Sequence, residues 1–303
     1  MLRKWLAVSL IVLSAPLLAA PQAGSRVVRD DTGAELTVDP AACRIVSLAP
    51  GTTAMLFAAG AGRCLIGTIA HSKEPAAAAK VAVIGDAETL DFERLLALRP
   101  SVVVVAVDVV QRARIDRIRA LGIPVYQVHV TQLAGMPESL RRLGMLSDTG
   151  KVAQQAAAAL DKELARIRAQ YQHRAAIRVL YQIWDQPIYT IGGRHVINDA
   201  LQLCGARNLF ADLGTAAPAV TREAVLARNP ELILASGPPG AGEPWLAEWR
   251  RFPSLAAVIS GQLVAHTDER IDRMGPAVIA ATADLCSVID RARAASSRPA
   301  ATP

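Results

Sequence analysis

The side chains with chemistry to offer stand just beyond the ends of apolar runs. His71 follows LIGTI (65–69), between Ala70 and Ser72. A neutral imidazole there could ligate a cobalt or iron ion, and the plainer reading is a solvated loop histidine. Trp184 closes IRVLYQIW (177–184), where an indole can give a ligand a flat apolar face and an N–H donor, or else fill core. Tyr189 could donate its phenol or ligate iron, though such a tyrosine is more often simply packed. Arg273, in DRMGP, carries a planar fork suited to a carboxylate, amide or phosphate; its alternative is a surface arginine near a helix start. Pro50-Gly51-Thr52 and Asp108 each stand where a strand ends. His129 and His195 read as structural, and His173 and His266 carry no signal.

Enzyme signatures are missing. The glycine pairs Gly192-Gly193 and Gly237 to Gly240 build neither GxGxxG after a strand nor GxxxxGK[ST]. There is no GxSxG elbow and no HExxH. Ser47, His71 and Asp108 would form a hydrolytic trio only by coincidence. A secreted hydrolase is therefore the weaker alternative to a binding protein.

The elements that position these residues centre on RIVSLAPGTTAMLFAAG (44–60). A short apolar strand, Ile45 to Leu48, stops at Pro50-Gly51. Thr52 or Thr53 is expected to cap the helix that follows, and Gly60 to end it. The loop beyond such a strand is a ligand position in parallel α/β sheets, so Pro50-Gly51-Thr52 is expected to form one ligand wall. Before it, residues 26–40 read as a hairpin turning at Asp31-Thr32-Gly33. After it come LIGTI, a helix capped by Asp91, the buried β-branched strand SVVVVAV (101–107), a helix from 111 to 121, the strand IPVYQV (123–128) and a helix from 137 to 146.

The pattern then changes. Residues 148–173 lack proline and are rich in helix formers, with Val152, Ala156, Leu160, Leu164 and Ile167 as one stripe and Asp148 as the N-cap. A helix of about 25 residues would run ~37 Å, a length that suits a strut between two lobes. A second β-α series follows: strands at 177–184, 187–193, 231–236 and 262–266, with helices at 196–203 and after Thr221. Trp245, Trp249 and Phe252 fall on a short helical piece, and the last helix spans 276 to about 293. TREAVLARNPELILA echoes DFERLLALRPSVVVV, as though both lobes were organised alike. The expected division is a leader at 1–23, an N-terminal lobe at 24–147, the linking helix at 148–173, a C-terminal lobe at 174–294 and a tail at 295–303.

Of the 303 residues, 52% are apolar, enough for substantial cores, and only 4% are aromatic, so each aromatic near a site carries weight. The net charge of +6 is scattered, without the basic block and interleaved aromatics that nucleic-acid binding would need. Arg3 and Lys4, then the apolar run Leu6 to Leu18 and small residues at 19, 20 and 23, read as a secretory signal. Export makes the four cysteines a disulfide question. Cys43 and Cys64 each precede a strand of the same series and could bridge, leaving Cys204 to pair with Cys286. The alternative is four buried thiols.

In RIVSLAPGTTAMLFAAG, DFERLLALRP, the long middle helix and IGGRHVINDALQLCGARNLF, from about Arg44 to Ser287, the chain resembles the periplasmic binding proteins of iron-chelate and cobalamin importers. The resemblance implies two Rossmann-like lobes joined by one rigid helix, with the ligand in the cleft between them. It implies no catalysis of its own and no cofactor. The cargo would be a corrinoid such as cobalamin, or haem or a ferric siderophore, carried by a monomer in the periplasm to an ATP-binding-cassette permease and its ATPase. Glu93, in DFERL, and Glu223, in TREAV, match the surface glutamates that dock on the permease. Cys204 and Cys286 match a family disulfide. The stacking aromatics of the cleft are replaced by Ala87 and Ala217, and a tyrosine by His71. The contacts that remain are His71, as a possible axial ligand, with Trp184, Tyr189, Glu269 and Arg273.

Overall fold

The computed structural model describes residues 24–296. The expected leader, and the expected tail apart from residues 295 and 296, lie outside them. Those two residues belong to the last helix, Val278–Ser296, which runs further than expected.

The fold is α/β, and among the described residues it has two main sheets and a separate two-stranded hairpin. In the first, the strands lie in the order Leu65–Gly67, Ile45–Ser47, Val102–Ala106, Val125–Val128, all parallel. Val102 to Val105 are buried on both faces, as a continuous β-branched run demands. The hairpin Arg26–Arg29 with Glu35–Val38 is held at its turn by Asp30, whose carboxylate accepts from the Thr32 and Ala34 N–H groups. The second sheet is built round Ile177–Asp185. One edge of that strand runs parallel to Leu232–Ala235, which in turn pairs with Leu263–Ala265. Its other edge is shared, parallel to Ala206–Asn208 early and antiparallel to Ile188–Thr190 late.

Between the sheets runs the helix Gly150–Tyr171, 22 residues or about 33 Å long. Asp148 does not cap it. That residue adopts φ 57°, and its carboxylate accepts from Arg26 at 2.6 Å. The expected stripe is also corrected in its first half: Ala153 and Ala157 face inward, and Val152 is 47% exposed. The cause is the helix Gly135–Gly144, which crosses so close that a Cβ on Gly144 would lie 2.4 Å from that of Ala153. Only alanine fits such a crossing, so the larger residue is turned away. Leu164, Ile167 and Tyr171 complete the buried face.

One apolar core runs from the hairpin through this helix to Leu285, Ile289 and Ala292 of the last helix. Two further cores fill the outer faces of the two sheets. Cys43 and Cys64 are joined beside the parallel pairing of Ile45 with Leu65, with Cα atoms 5.4 Å apart. Cys204 and Cys286 are joined at 4.7 Å and tie the last helix to the second lobe.

Candidate functional site

The wall contributed by the first lobe begins where Ile45–Ser47 ends. The helix starts at Pro50, three residues earlier than capping by Thr52 would place it, with Ala49 as a cap that makes no side-chain bond. Thr52 and Thr53 instead lie buried inside its first turn. Thr52 shares a hydrogen bond of 2.7 Å with the Ser47 hydroxyl, and Thr53 bonds to Ser47 and Thr68 at 2.9 Å. A threonine hydroxyl bonds backward to a carbonyl or a neighbouring hydroxyl when these are close, and here both bond to the Ala49 carbonyl as well. Gly51 is buried too. A Cβ on it would lie 2.2 Å from the Arg273 carbonyl oxygen and 3.0 Å from that of Met274, so Gly51 is where the two lobes touch backbone to backbone. Of the expected wall, Pro50 reaches open space. It lines a narrow recess with His71, Glu74 and Arg273.

That recess is closed by charge. Arg273 pairs with Glu74 of the opposite lobe at 3.0 Å and with Glu269 on its own short helix. Its fork is thus shared between two carboxylates. His71 adopts φ 67° and lines the same recess. Further along the same lobe, Asp108 follows Val102–Ala106 and lies 3.3 Å from His129 Nδ1.

The second lobe carries the larger opening. A pocket of about 430 Å³ lies at the carboxyl ends of Ile177–Asp185 and Leu232–Ala235, with Ile183, Trp184, Ile191, His195, Ser236 and Glu269 among its lining. Trp184 is 48% exposed and leans on Trp245, ring centres 6.1 Å apart. Trp245 itself lies over Gly237, where a Cβ would meet its ring at 2.3 Å. Glycine therefore lets a buried indole back the pocket wall. Pro238 and Pro239 continue that wall without offering any backbone donor. Tyr189 pairs with Trp184 across the strand and is partly exposed, outside the pocket lining.

His195 is the pocket residue that sequence reading put down as structural. It is structural in part, since it caps the helix Val196–Leu203, its Nδ1 accepting from the Ile197 N–H at 3.1 Å. Burial pushes the ring toward its neutral form, against the opposing pull of Asp108 from the facing lobe. Histidine is not among the usual capping residues, so the sequence GGRHVIND gave no sign of it. Ser236 and Thr267 were also missed; each follows a strand of the second sheet.

The hydrolytic trio does not assemble. Ser47 is bonded to threonines and Asp108 pairs with His129, away from the His71 recess. His195 with Ser236 forms no relay either, because Nδ1 accepts a backbone N–H and so cannot donate to a carboxylate. Among the described residues, no cluster of His, Cys, Asp or Glu could hold a metal ion. Ala87 and Ala217 are exposed and leave Trp184 and Tyr189 as the aromatic faces near the cleft.

Glu93 and Glu223 occupy matching positions, each exposed and second in its helix. Asp91 caps one through the Arg94 N–H and Thr221 the other through the Ala224 N–H. Backbone N–H and the Thr221 hydroxyl hold the Glu223 carboxyl below its ordinary range.

A sequence profile of the family described as periplasmic binding protein matches residues 45–269. A vitamin B12-binding protein of Yersinia pestis (strain Pestoides F) is 30% identical over 246 residues, 81% of this chain and 86% of that relative. The crystal structure of the periplasmic vitamin B12 binding protein BtuF of Vibrio cholerae superposes with a TM-score of 0.75 at 28% identity, covering 83% of this chain and 98% of that one. The periplasmic heme-binding protein RhuT of Roseiflexus sp. RS-1, in apo form, shares the fold at a TM-score of 0.70 and 21% identity, over 82% of this chain and 98% of its own.

Proposed function

The chain belongs to the periplasmic binding protein family, and from that premise we propose that it is the exported substrate-binding component of an ATP-binding-cassette importer, holding a corrinoid such as cobalamin between its lobes. The observation that carries this reading is the pocket at the strand ends of the second lobe. Its exposed Trp184 face, with isoleucines and prolines beside it, suits a flat apolar macrocycle, and a few polar groups are left to orient it. The likeness to vitamin B12-binding proteins supports the same choice of cargo. With alanine at 87 and 217, Trp184 is the aromatic face that supplies the stacking in this pocket. His71 would serve as an axial ligand only if the recess closed by Glu74 and Arg273 opened.

Binding needs no covalent step. The linking helix shares one core with both lobes, so capture involves closure by a few degrees rather than a wide hinge. The monomer, with ligand in place, docks on its permease through Glu93 on one lobe and Glu223 on the other, and the partner ATPase drives release. The test is to incubate the purified protein with cyanocobalamin, cobinamide, haemin or a ferric siderophore, pass it through gel filtration and record the visible spectrum. A corrinoid spectrum retained with the protein is the expected result. Retention of haemin or of the siderophore, with both corrinoids lost, would replace this reading by a haem or siderophore carrier.

A further inference from the structure

His195 combines two properties that decide how it can meet a ligand. It lines the pocket beside Ser236, Thr267 and Glu269, and its Nδ1 is committed to the Ile197 N–H at 3.1 Å. A neutral imidazole has one protonated and one bare nitrogen. With Nδ1 accepting, the proton resides on Nε2, and that edge of the ring is a donor. Ligating a metal through Nε2 would require the proton to move to Nδ1. Two donors would then face each other at the first turn of Val196–Leu203, and the cap would be lost. Protonating both nitrogens is opposed by burial, and also by the helix N-terminus, which disfavours a cation.

The surroundings say what the donor meets. Glu269 lines the same pocket with an exposed carboxylate, an acceptor. Arg273, the guanidinium near enough to pair with Glu269, is shared with Glu74 and has two carboxylates to answer already. Pro238 and Pro239 add no N–H. A primary carboxamide meets both demands, its carbonyl accepting from the imidazole N–H and its NH2 donating to the carboxylate. A carboxylate in its place would meet Glu269 with like charge.

We propose that His195 is a specificity-determining residue of the pocket, a fixed Nε2–H donor that reads a carboxamide carbonyl on the rim of the ligand and does not ligate its metal. The inference rests on the corrinoid reading above and refines it, because the corrin rim carries carboxamides where haem carries carboxylates.

The variant of choice is His195→Asn. Asparagine is a good helix cap and preserves the first turn, but its short side chain withdraws the donor from the pocket. Affinities for cyanocobalamin and dicyanocobinamide are measured by quenching of tryptophan fluorescence, with far-ultraviolet circular dichroism and thermal melting as the check on folding. The expected loss is about two- to tenfold for both ligands, the range of one neutral hydrogen bond. A corrinoid acid, in which rim amides are hydrolysed to carboxylates, should bind the wild type more weakly than its parent, and the gap should narrow in His195→Asn. Aquocobalamin provides the second readout: its visible bands should be the same bound to wild type and to variant. Equal affinity of a folded His195→Asn protein for cyanocobalamin would overturn the assignment. So would a band shift of aquocobalamin seen with wild type and absent with the variant, since that is the mark of axial imidazole. If wild type retains no corrinoid at all, the functional reading fails first and this one with it. If wild type binds and the variant binds equally, only the role of His195 fails.

Discussion

Replacing Gly51 by alanine tests how the two lobes meet. The added Cβ would lie 2.2 Å from the Arg273 carbonyl oxygen, 3.0 Å from that of Met274 and 3.1 Å from the Met274 carbonyl carbon. All three neighbours are backbone atoms, so no side chain can rotate out of the way. Non-bonded heavy atoms settle at about 3.5 Å, so the lobes must separate here by roughly 1 Å. Overpacking of this kind costs about 1–3 kcal/mol. At about 2–4 °C per kcal/mol, the figure for large domains, the melting temperature should fall by roughly 2–12 °C. The same separation stretches the Arg273–Glu74 contact of 3.0 Å, which lies beside it. Gly150→Ala is the control: a Cβ there meets nothing within 4 Å, and alanine in the first turn of the linking helix should be neutral or stabilising by up to about 1 kcal/mol. Thermal melting by circular dichroism decides the matter. A Gly51→Ala protein that melts with wild type, while Gly150→Ala melts lower, would show that the lobes do not abut at Arg273.

Glu93→Lys with Glu223→Lys should abolish uptake in cells and leave ligand affinity measured on the purified protein unchanged; loss of affinity would reject the docking role. Replacing Cys204 and Cys286 together by alanine opens a loop of 82 residues and should cost about 4.5 kcal/mol in urea denaturation. The Cys43 and Cys64 pair closes only 21 residues and should cost about 3.3 kcal/mol, so the reverse order would refute a loop-entropy account. His195 and His266 are both pushed toward neutrality by burial, so the unfolded chain binds protons that the folded one refuses. Stability should be flat on their account above the ordinary histidine pKa of about 6.5 and decline as pH falls below it. Melting temperatures at a series of pH values test this, and His195→Asn should flatten the decline.

The alternation of strands and helices was legible because the apolar runs were pure. Val102 to Val105 could only be a strand covered on both faces, and Asp91 and Thr221 cap as their side chains dictate. The pairing of Cys43 with Cys64 followed from two strand starts lying side by side. The start of the first helix was misplaced because Ser47, Thr68 and the Ala49 carbonyl compete for the hydroxyls of Thr52 and Thr53, and only the folded sheet brings Thr68 there. The stripe of the linking helix was misread because hydrophobicity favours Val152, whereas the crossing at Gly144 admits only Ala153. The pocket was half legible. Trp184 announced itself as a lone aromatic at a strand end. His195 and Ser236 did not, since the lining comes from four segments, 183–184, 191–197, 236–239 and 267–269, that the sheet order alone gathers.

The last helix has a consequence for how the chain is made. Its residues Leu285, Ile289 and Ala292 share the core with Leu164, Ile167 and Tyr171, and Arg293 bonds to the carbonyls of Ala175 and Cys204. A polypeptide emerging amino end first thus displays the greasy side of its central rod for more than a hundred residues of synthesis before the covering segment appears. Until then that surface is open to aggregation or to a chaperone. Truncations that remove only the final two turns should accordingly fail during biogenesis rather than yield a smaller working receptor.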